Sequence, residues 1–246
     1  MDYSIVVPAY NEESLLPETL RRLREAMAEV PFRGEIVVAD NNSTDRTADV
    51  ARAAGARVVF EPVNQISRAR NAGARVAAGD CFIFVDADTH VAPGLLREAV
   101  ERLASGTVCG GGSTVVVDGR HSSLARGIGY WNTFSRRMRL AAGSFVFARR
   151  DAFEAVGGFS EKVYASEEIW FSRAVKRWGR TRGMDFVILD AHPVLTSGRK
   201  ADWYPPFVLF GAMVALVLFP FLIRSRTLCW LWYRRPASPA TGDRVE

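Results

Sequence analysis

The feature that most constrains the fold is an alternation of two hydrophobic periods over the first ninety residues. Short apolar runs typical of buried strands alternate with segments in which apolar residues recur every three or four positions, as on one face of a helix. The strand-like runs are 3–7, 35–39, 57–60 and 81–85, and the helix-like segments between them are 16–30, 44–54 and 66–76. This order predicts an α/β fold with a parallel sheet covered by helices on both faces.

Parallel sheets of this kind bind ligands outside the carboxyl ends of their strands, so the loops after Val7, Ala39, Phe60 and Val85 are candidate site loops. With 246 residues, 48% hydrophobic and 24% charged, the chain has enough apolar sequence for one large domain or two small ones. The three cysteines are far apart, so neither a disulfide framework nor a zinc site is supported. A reducing, cytoplasmic setting is expected, because the first residues lack the regions of a signal peptide.

Beyond residue 90 the pattern is less regular. Helices are predicted at 93–103, 124–138 and 167–178, and strands at 114–117, 144–148 and 186–189, with a glycine-rich stretch before the first of these strands. Five arginines surround the helix at 124–138, namely Arg120, Arg126, Arg136, Arg137 and Arg139. With the net charge of +5, this basic stripe is compatible with an anionic substrate, a phospholipid surface or nucleic acid.

The tail has a different composition. Phe207 to Ile223 is a run of 17 residues without a charge, at the short limit for crossing a bilayer, and Pro220 divides it. Basic residues lie on both sides of the run: Arg199 and Lys200 before it, and Arg224 and Arg226 after it. We therefore expect a peripheral or re-entrant association with the cytoplasmic leaflet of the cell membrane, with a single span as the alternative.

Asp86 and Asp88 lie at the end of the fourth strand-like run. Two carboxylates at the end of a buried strand are costly unless a cation or another partner neutralises them. Hard divalent ions such as Mg²⁺ and Mn²⁺ prefer oxygen ligands and can bridge a diphosphate. The alternative is that both aspartates cap the turn into the next helix. Their position after three other strands favours a metal site.

The loop after the first strand contains Pro8, Tyr10, Asn11 and Glu12. Proline stops the strand, and the polar residues supply acceptors at the start of the next helix, where acidic side chains suit the helix dipole. Helix capping alone would explain the two acidic residues of this loop, Glu12 and Glu13. An aromatic ring at the carboxyl end of a strand can stack on a nucleobase, which is the interpretation we favour for Tyr10.

The second and third loops contribute further polar groups. A carboxylate such as Asp40 can accept a hydrogen bond from a pyrimidine N–H or a ribose hydroxyl, whereas Asn42 and Ser43 fit a helix cap as well as a ligand contact. Arg70 is long enough to reach a nucleotide, and Arg68 is interpreted as a solvated surface charge.

Four of these segments in order, Ile5–Glu13, Val38–Thr47, Ala69–Gly73 and Asp86–Asp88, resemble the family 2 glycosyltransferases. The resemblance implies a GT-A fold, a nucleotide-sugar donor, a divalent cation (Mn²⁺ or Mg²⁺) and inversion at the anomeric carbon. It implies that Tyr10, Glu12 and Asp40 contact the nucleoside and that Asp88 is the principal metal ligand. Asp86 is expected to contact ribose or metal-bound water, as a nucleotide contact and second metal candidate. We place Pro8, Asn11, Asn42 and Arg70 on the nucleotide side as well.

An inverting transfer also needs a base beside the acceptor. Ala165 to Trp170 resembles the family's Glu-Asp pair at the start of a helix, although its second member here is Glu168. Adjacent helical residues point about 100° apart, so Glu167 and Glu168 cannot have the same role. We assign Glu168 as the base, with Glu167 as the alternative. Upstream, Ala141–Phe145 and Gly157–Phe159 resemble the family's acceptor-side segment, where tight turns would explain the glycines equally well.

Two late residues complete the expected site. In some enzymes of this fold a late histidine completes the metal site and a late basic residue clamps the diphosphate. The corresponding candidates are His192 as a metal ligand and Arg199 as a phosphate contact.

The sequence thus predicts a glycosyltransferase of the hexosyltransferase type. A lipid-linked acceptor would account for both the apolar tail and the basic stripe, and no role is assigned to nucleic acid. The alternatives are a nucleotide-sugar-binding or membrane scaffold protein without catalysis and, less favoured, a nucleotidyltransferase. The predicted domains are a GT-A domain at 1–200, with a nucleotide-binding half at 1–89 and an acceptor-side half at 90–200, then an apolar membrane segment at 201–235 and a flexible tail at 236–246.

Overall fold

The computed structural model describes residues 1–118, 122–199 and 203–233. In this part of the chain, eight strands form one mixed sheet in the order β3-β2-β1-β4-β7-β6-β8-β5. The strands are β1 (Tyr3–Ala9), β2 (Gly34–Asp40), β3 (Arg57–Phe60), β4 (Cys81–Val85), β5 (Thr89–His90), β6 (Val108–Val117), β7 (Phe145–Arg149) and β8 (Asp185–Thr196).

Helices cover both faces of this sheet. They are α1 (Leu16–Ala28), α2 (Thr47–Ala53), α3 (Ile66–Val76), α4 (Pro93–Ala104), α5 (Ser122–Met138), α6 (Arg150–Val156), α7 (Glu167–Arg180), α8 (Pro206–Leu218) and α9 (Trp230–Tyr233), with a 3-10 helix at Pro220–Arg224 before α9. The core layer on one face includes residues of α1 and α4. The layer on the other face includes residues of α3, α6 and α7. The central strands β1, β4 and β7 are therefore buried on both sides, which explains their continuous apolar runs in the sequence.

The parallel half of the sheet confirms the prediction from the first ninety residues. Strand β1 pairs in parallel with β2 and with β4, and β2 pairs in parallel with β3. The carboxyl ends of β1, β2 and β4 therefore meet at one edge of the sheet. This edge is where the loops with the predicted site residues begin.

In the other half, β6 pairs in parallel with β8, so four of the seven pairs among the described strands are parallel, in agreement with the expected mostly parallel sheet. Two strands are reversed, which the sequence did not predict. Strand β7 runs antiparallel to both β4 and β6, and β5 runs antiparallel to β8. The register shows the reason, because Phe145 at the start of β7 pairs with Val85 at the end of β4. The chain enters β7 at the carboxyl edge and can only run back along its neighbour. Hydrophobic periodicity predicts a strand without its direction, so this reversal was missed.

Two local predictions also differ from the structure. Helix α2 begins at Thr47 and is not capped by Asn42 or Ser43, and instead the Thr47 amide donates to the Asp45 carboxylate at 2.9 Å. Asn42 has a φ of +65°, a left-handed turn conformation that a helix cap does not adopt. The strand predicted at 114–117 begins earlier, at Val108, and includes Gly110, Gly111 and Gly112.

The apolar tail forms two pieces. Helix α8 ends at Leu218, and the chain then turns through the 3-10 helix into α9. Within the described ranges no helix is long and apolar enough to cross a membrane. We call Pro220–Tyr233 the C-terminal strap. It returns to the domain, where the Tyr164 amide donates to the Ile223 carbonyl at 2.6 Å.

The basic stripe is partly neutralised. Arg136 donates to Asp190 at 2.7 Å and Arg139 to Asp185 at 2.6 Å, and both aspartates belong to β8. Arg120 and Lys200 lie outside the described residues, as does the predicted flexible tail at 236–246. The charge that this surface presents is therefore smaller than the count of its arginines indicates.

Candidate active site

A cleft of about 350 Å³ opens at the carboxyl edge of the sheet. Its walls come from the loops after β1 and β4, the N-terminus of α7, the end of β8 and the C-terminal strap. Nine residues that the sequence singled out line it, namely Pro8, Tyr10, Glu12, Arg70, Asp86, Asp88, Glu167, Glu168 and Arg199. The structure therefore brings together residues that are up to 191 positions apart in the sequence (from Pro8 to Arg199).

The loops after β1 and β2 hold each other in place. The Asn11 amide donates to Ser43 Oγ at 3.0 Å, and Asn11 Oδ1 accepts a hydrogen bond from the Thr44 amide at 2.8 Å. The Glu12 amide donates to Thr47 Oγ1 at 2.8 Å. Asn11 has a φ of +52°, which Asn tolerates better than most residues, and it does not line the cleft. Its side chain fixes the loop that presents Tyr10 and Glu12.

The polar cluster after β2 is arranged differently from the prediction. Asp40 is buried, its Oδ1 accepts a hydrogen bond from the Ser43 amide at 3.2 Å, and it does not line the cleft. Asn42 does not line the cleft either, and its side chain donates to the Pro62 carbonyl at 3.1 Å. The residue of this loop that does line the cleft is Asn41, which the sequence did not single out.

Asn41 was missed because its side chain is held by contacts with another loop, which the local sequence pattern does not show. Its side chain donates to the Val63 carbonyl at 2.6 Å and accepts from the Gln65 amide at 2.8 Å. These bonds join the loop after β2 to the loop after β3. The only sequence signal for Asn41 is its position directly after the strand, and Asp40 shares that signal.

A cluster of charges connects the two sides of the cleft. Arg70, on α3, is 2% exposed. Its guanidinium donates to Glu167 Oε1 at 2.7 Å, to Asp86 Oδ1 at 2.9 Å and to the Gly143 carbonyl at 2.8 Å. Arg70 is thus bonded to carboxylates of the protein, in contrast to the nucleotide contact expected for it.

Glu168 is adjacent to this cluster in the first turn of α7. A Cβ atom on Gly143 would lie 3.8 Å from Glu168 Oε2, so the carboxyl group faces the small residues of the loop before β7. The pKa of Glu168 is raised from 4.5 to about 8, mainly because burial disfavours the charged form and secondly because Glu167 repels it, while Arg70 acts in the opposite direction. A carboxyl group with this pKa can both accept and release a proton near neutral pH.

On the opposite wall, Arg199 bridges two carboxylates. It donates to Glu12 Oε2 at 2.8 Å through Nη1 and to Glu12 Oε1 through Nη2 at 2.5 Å. The same Nη2 lies 3.0 Å from Asp88 Oδ2. The Arg199 cation therefore lies between the loop after β1 and the loop after β4, where the sequence predicts the donor diphosphate.

Asp86 and Asp88 fit a divalent cation whose coordination is completed by a ligand. Both carboxylates line the cleft, and Mg²⁺ is usually held by one or two carboxylates together with substrate phosphates and water. Among the described residues, no three His, Cys, Asp or Glu side chains are grouped closely enough to hold a metal ion. The protein would therefore supply only part of the coordination shell.

The structure does not bring His192 to this cleft. Its ring packs against the start of α4, where a Cβ atom on Gly94 would lie 2.6 Å from Nε2, and the residue is exposed. Strand β8 continues from Asp185 to Thr196, so His192 lies inside a strand and four residues before its end. The expected contribution of His192 to the metal site finds no support in this geometry.

An aromatic wall, which the sequence did not predict, completes the cleft. It consists of Trp203, Leu231, Trp232 and Tyr233. Tyr233 Oη accepts a hydrogen bond from the Ile66 amide at 3.4 Å, and its ring packs edge-on against Tyr164 with centroids 5.7 Å apart. Burial, with a smaller contribution from Glu167, raises the pKa of Tyr233 above its ordinary value. The aromatic-rich end of the tail thus packs on the site.

Residues 4–157, more than half of the chain, match the family described as glycosyl transferase family 2. The chain therefore belongs to that family. Among curated relatives, an undecaprenyl-phosphate 4-deoxy-4-formamido-L-arabinose transferase of Pseudomonas aeruginosa (strain LESB58) is 40% identical over 110 residues, which cover 42% of this chain and 32% of the relative. The match thus spans about a third of that protein's length.

Solved structures show the same fold. A mannosyltransferase from Pyrobaculum calidifontis in complex with GDP-Man and Mn²⁺ has a TM-score of 0.60 and 22% identity, over 81% of this chain and 59% of that one. Glucosyl-3-phosphoglycerate synthase from Mycobacterium tuberculosis, in complex with Mn²⁺, UDP and glucosyl-3-phosphoglycerate, has a TM-score of 0.63 and 20% identity, over 91% and 79% of the two chains. At these identities the likeness shows a shared fold, and it agrees with the predicted GT-A fold.

Proposed function

We propose that this protein transfers a sugar from a nucleotide-sugar donor to an acceptor by an inverting displacement, with Glu168 as the base. One observation supports this most strongly: a carboxyl group with a pKa near neutrality shares a cleft with the carboxylate pair Asp86 and Asp88. An inverting transfer needs a proton acceptor on one side of the reacting carbon and compensation for the leaving diphosphate on the other.

The donor would occupy the side of the cleft formed by the loops after β1 and β4. Tyr10 lines this side of the cleft together with Pro8 and Asn41, and its ring would stack on the base. A divalent cation bound at Asp88 would neutralise charge on the leaving diphosphate. Arg199 would exchange its contact with Asp88 for the diphosphate, because a guanidinium binds phosphate and carboxylate in the same bidentate manner.

Between the two glutamates, the geometry favours Glu168 as the base. Glu167 is 4% exposed, and its Oε1 accepts the hydrogen bond from Arg70, which occupies that oxygen. Glu168 is half-buried, and its carboxyl group lines the cleft beside Gly143. Its carboxyl group is therefore the one better placed to take a proton from an acceptor hydroxyl or phosphate.

A lipid-linked acceptor fits the aromatic wall. The wall places apolar surface directly beside Glu167 and Glu168, where an acceptor must approach. The name of the Pseudomonas relative describes transfer involving undecaprenyl phosphate, a lipid-linked phosphate. An acceptor of this kind would bring the protein to the surface of a membrane, which we place at the cytoplasmic leaflet as a peripheral contact.

A donor screen tests the proposed function. The full chain is incubated with Mn²⁺, a polyprenyl phosphate and one nucleotide sugar at a time, and the products are identified by mass spectrometry. We expect one donor class to be consumed with formation of a glycosylated lipid, and we expect Glu168→Gln to bind that donor without forming product. Consumption of no donor by the wild type, or full turnover by Glu168→Gln, would refute the proposal.

A further inference from the structure

Of the two arginines that line the cleft, Arg70 is the more deeply buried, with a side chain that is 2% exposed against 21% for Arg199. Besides its bonds to Glu167, Asp86 and Gly143, its guanidinium lies 5.1 Å from the centroid of the Phe159 ring. Burial of an arginine is costly unless its charge is paired, and here two carboxylates provide the pairing. Nη1 donates to Glu167 and Nη2 donates to Asp86, and Nε is buried without a hydrogen-bond partner.

We propose that Arg70 is a positioning residue, which sets the distance between Asp86 on the donor side and the Glu167–Glu168 pair on the acceptor side. This inference rests on the proposed function. Asp86 follows strand β4, and Glu167 begins helix α7, so the two carboxylates belong to elements 81 positions apart in the sequence (from 86 to 167). Arg70 is the group that bonds to both, and it comes from a third element, α3.

The surroundings of Arg70 fix its direction. The next residue, Asn71, accepts a hydrogen bond from the Phe159 amide at 2.9 Å and donates to the Phe159 carbonyl at 2.9 Å. These two bonds hold Phe159 against α3, and the Phe159 ring lies beside the guanidinium. A Cβ atom on Gly143 would lie 3.3 Å from Arg70 Nη2, so a larger residue there would press on the guanidinium.

The charges around Glu168 give the inference a consequence that can be measured. The ionisable groups that act on its carboxyl group are Glu167, Arg70 and Asp86, and Arg70 is the positive one. Without Arg70 the carboxylates would repel one another more strongly, and the acidic limb of the pH–activity profile would move to higher pH. A residue that only contacted the nucleotide would not move this limb.

The test compares Arg70→Lys and Arg70→Met with Arg68→Met as a matched control. Arg68 lies on the same helix and also bonds to two carboxylates, Glu61 and Glu161, but it does not line the cleft. The affinity for a nucleoside diphosphate with Mn²⁺ is measured by calorimetry, and kcat and KM are measured across pH. Arg70→Lys keeps a charge, so it remains informative if Arg70→Met does not fold.

We expect both Arg70 variants to keep nucleotide affinity within about threefold, while kcat falls about 100-fold because misplacement of a reacting group by an ångström has that effect. The acidic limb should move to higher pH in Arg70→Met, and Arg68→Met should match the wild type. Weaker nucleotide binding with an unchanged kcat and an unchanged acidic limb would overturn the inference and make Arg70 a nucleotide contact.

If the wild type transfers no sugar, the proposed function fails instead. In that case two measurements decide the role of Arg70. They are the nucleotide affinity of the Arg70 variants and whether the pH dependence of their unfolding differs from that of the wild type.

Discussion

At the scale of single residues, the pKa of Glu168 connects the proposed chemistry to the stability of the fold. The group is raised from 4.5 to about 8 in the folded protein, chiefly by burial. The folded state therefore binds more protons than the unfolded chain between these two values. By linkage, the free energy of unfolding must fall as pH rises through this window, and the loss is complete above the folded pKa.

Replacement of Glu168 by Gln should remove this pH dependence. Gln carries no charge to bury, so Glu168→Gln should melt at a higher temperature than the wild type at pH 8.5 and at a similar temperature at pH 4.5. Thermal unfolding followed by circular dichroism across this range checks the expectation. Equal melting temperatures for the two proteins at pH 8.5 would show that Glu168 titrates normally.

How far the sequence could predict the site depends on the kind of residue. Asp86, Asp88 and the glutamate pair were found because motif and strand order together place them at one edge of the sheet. Asn41 was missed because its side chain is held by Val63 and Gln65 of the loop after β3, and local sequence carries no signal for a contact between two loops. His192 was misplaced because β8 extends beyond the apolar run that predicted it.

At the scale of elements, strand β6 depends on glycines for close packing. A Cβ atom on Gly111 would lie 2.3 Å from the Val187 carbonyl oxygen and 2.4 Å from the Phe147 ring. These partners belong to β8 and β7, the neighbours of β6. The prediction began this strand only at Thr114 because glycine is usually depleted in strands, and here the contacts with neighbouring strands override that tendency.

Gly111→Ala should therefore destabilise the fold by about 1–3 kcal/mol or more, the usual effect of overpacking a core. Gly129→Ala, on helix α5, is the matched control, because nothing lies within 4 Å of its added Cβ. The control should stabilise by up to about 1 kcal/mol, since alanine is the better helix former. Urea unfolding measures both variants, and a Gly111→Ala protein as stable as the control would contradict the packing described for β6.

Helix α8 and the start of the strap expose large apolar side chains. Phe207, Leu218, Phe219 and Phe221 are each at least half exposed. Arg224 and Arg226 follow at once, which suits the interface of an anionic bilayer. Helix α8 has only 13 residues and ends before Pro220, so the single span that was the alternative expectation is not seen in the part of the chain that the structure describes.

Loss of these side chains should weaken membrane binding. We expect the double variant Phe219→Asp and Phe221→Asp to sediment at least about tenfold less with anionic phospholipid vesicles than the wild type, because it removes apolar contact and adds repulsion. Phe60→Asp is the control, since Phe60 is similarly exposed but belongs to β3 and not to the apolar tail. Equal sedimentation of all three proteins would show that this surface does not bind membranes.

At the scale of the whole molecule, the cleft depends on the meeting of two halves with different topology. The parallel strands β1, β2 and β4 supply the donor side, and their parallel arrangement was predicted from the alternating periods of the sequence. The acceptor side depends on two features. Strand β7 begins at the carboxyl edge and runs antiparallel to β4, and the C-terminal strap packs against Val163 and Ala165. These are long-range packing events, so local periodicity could predict the elements but not their arrangement.

The central claim is that Asp88 and Glu168 serve one reaction from opposite sides of the cleft. The most direct measurement is donor turnover with Mn²⁺ by the wild type, Asp88→Ala and Glu168→Gln, together with the shift in melting temperature that donor and Mn²⁺ produce in each protein. The account predicts that Asp88→Ala loses turnover and the Mn²⁺-dependent part of the shift, whereas Glu168→Gln loses turnover and keeps the shift. Turnover unaffected by Asp88→Ala would contradict the account.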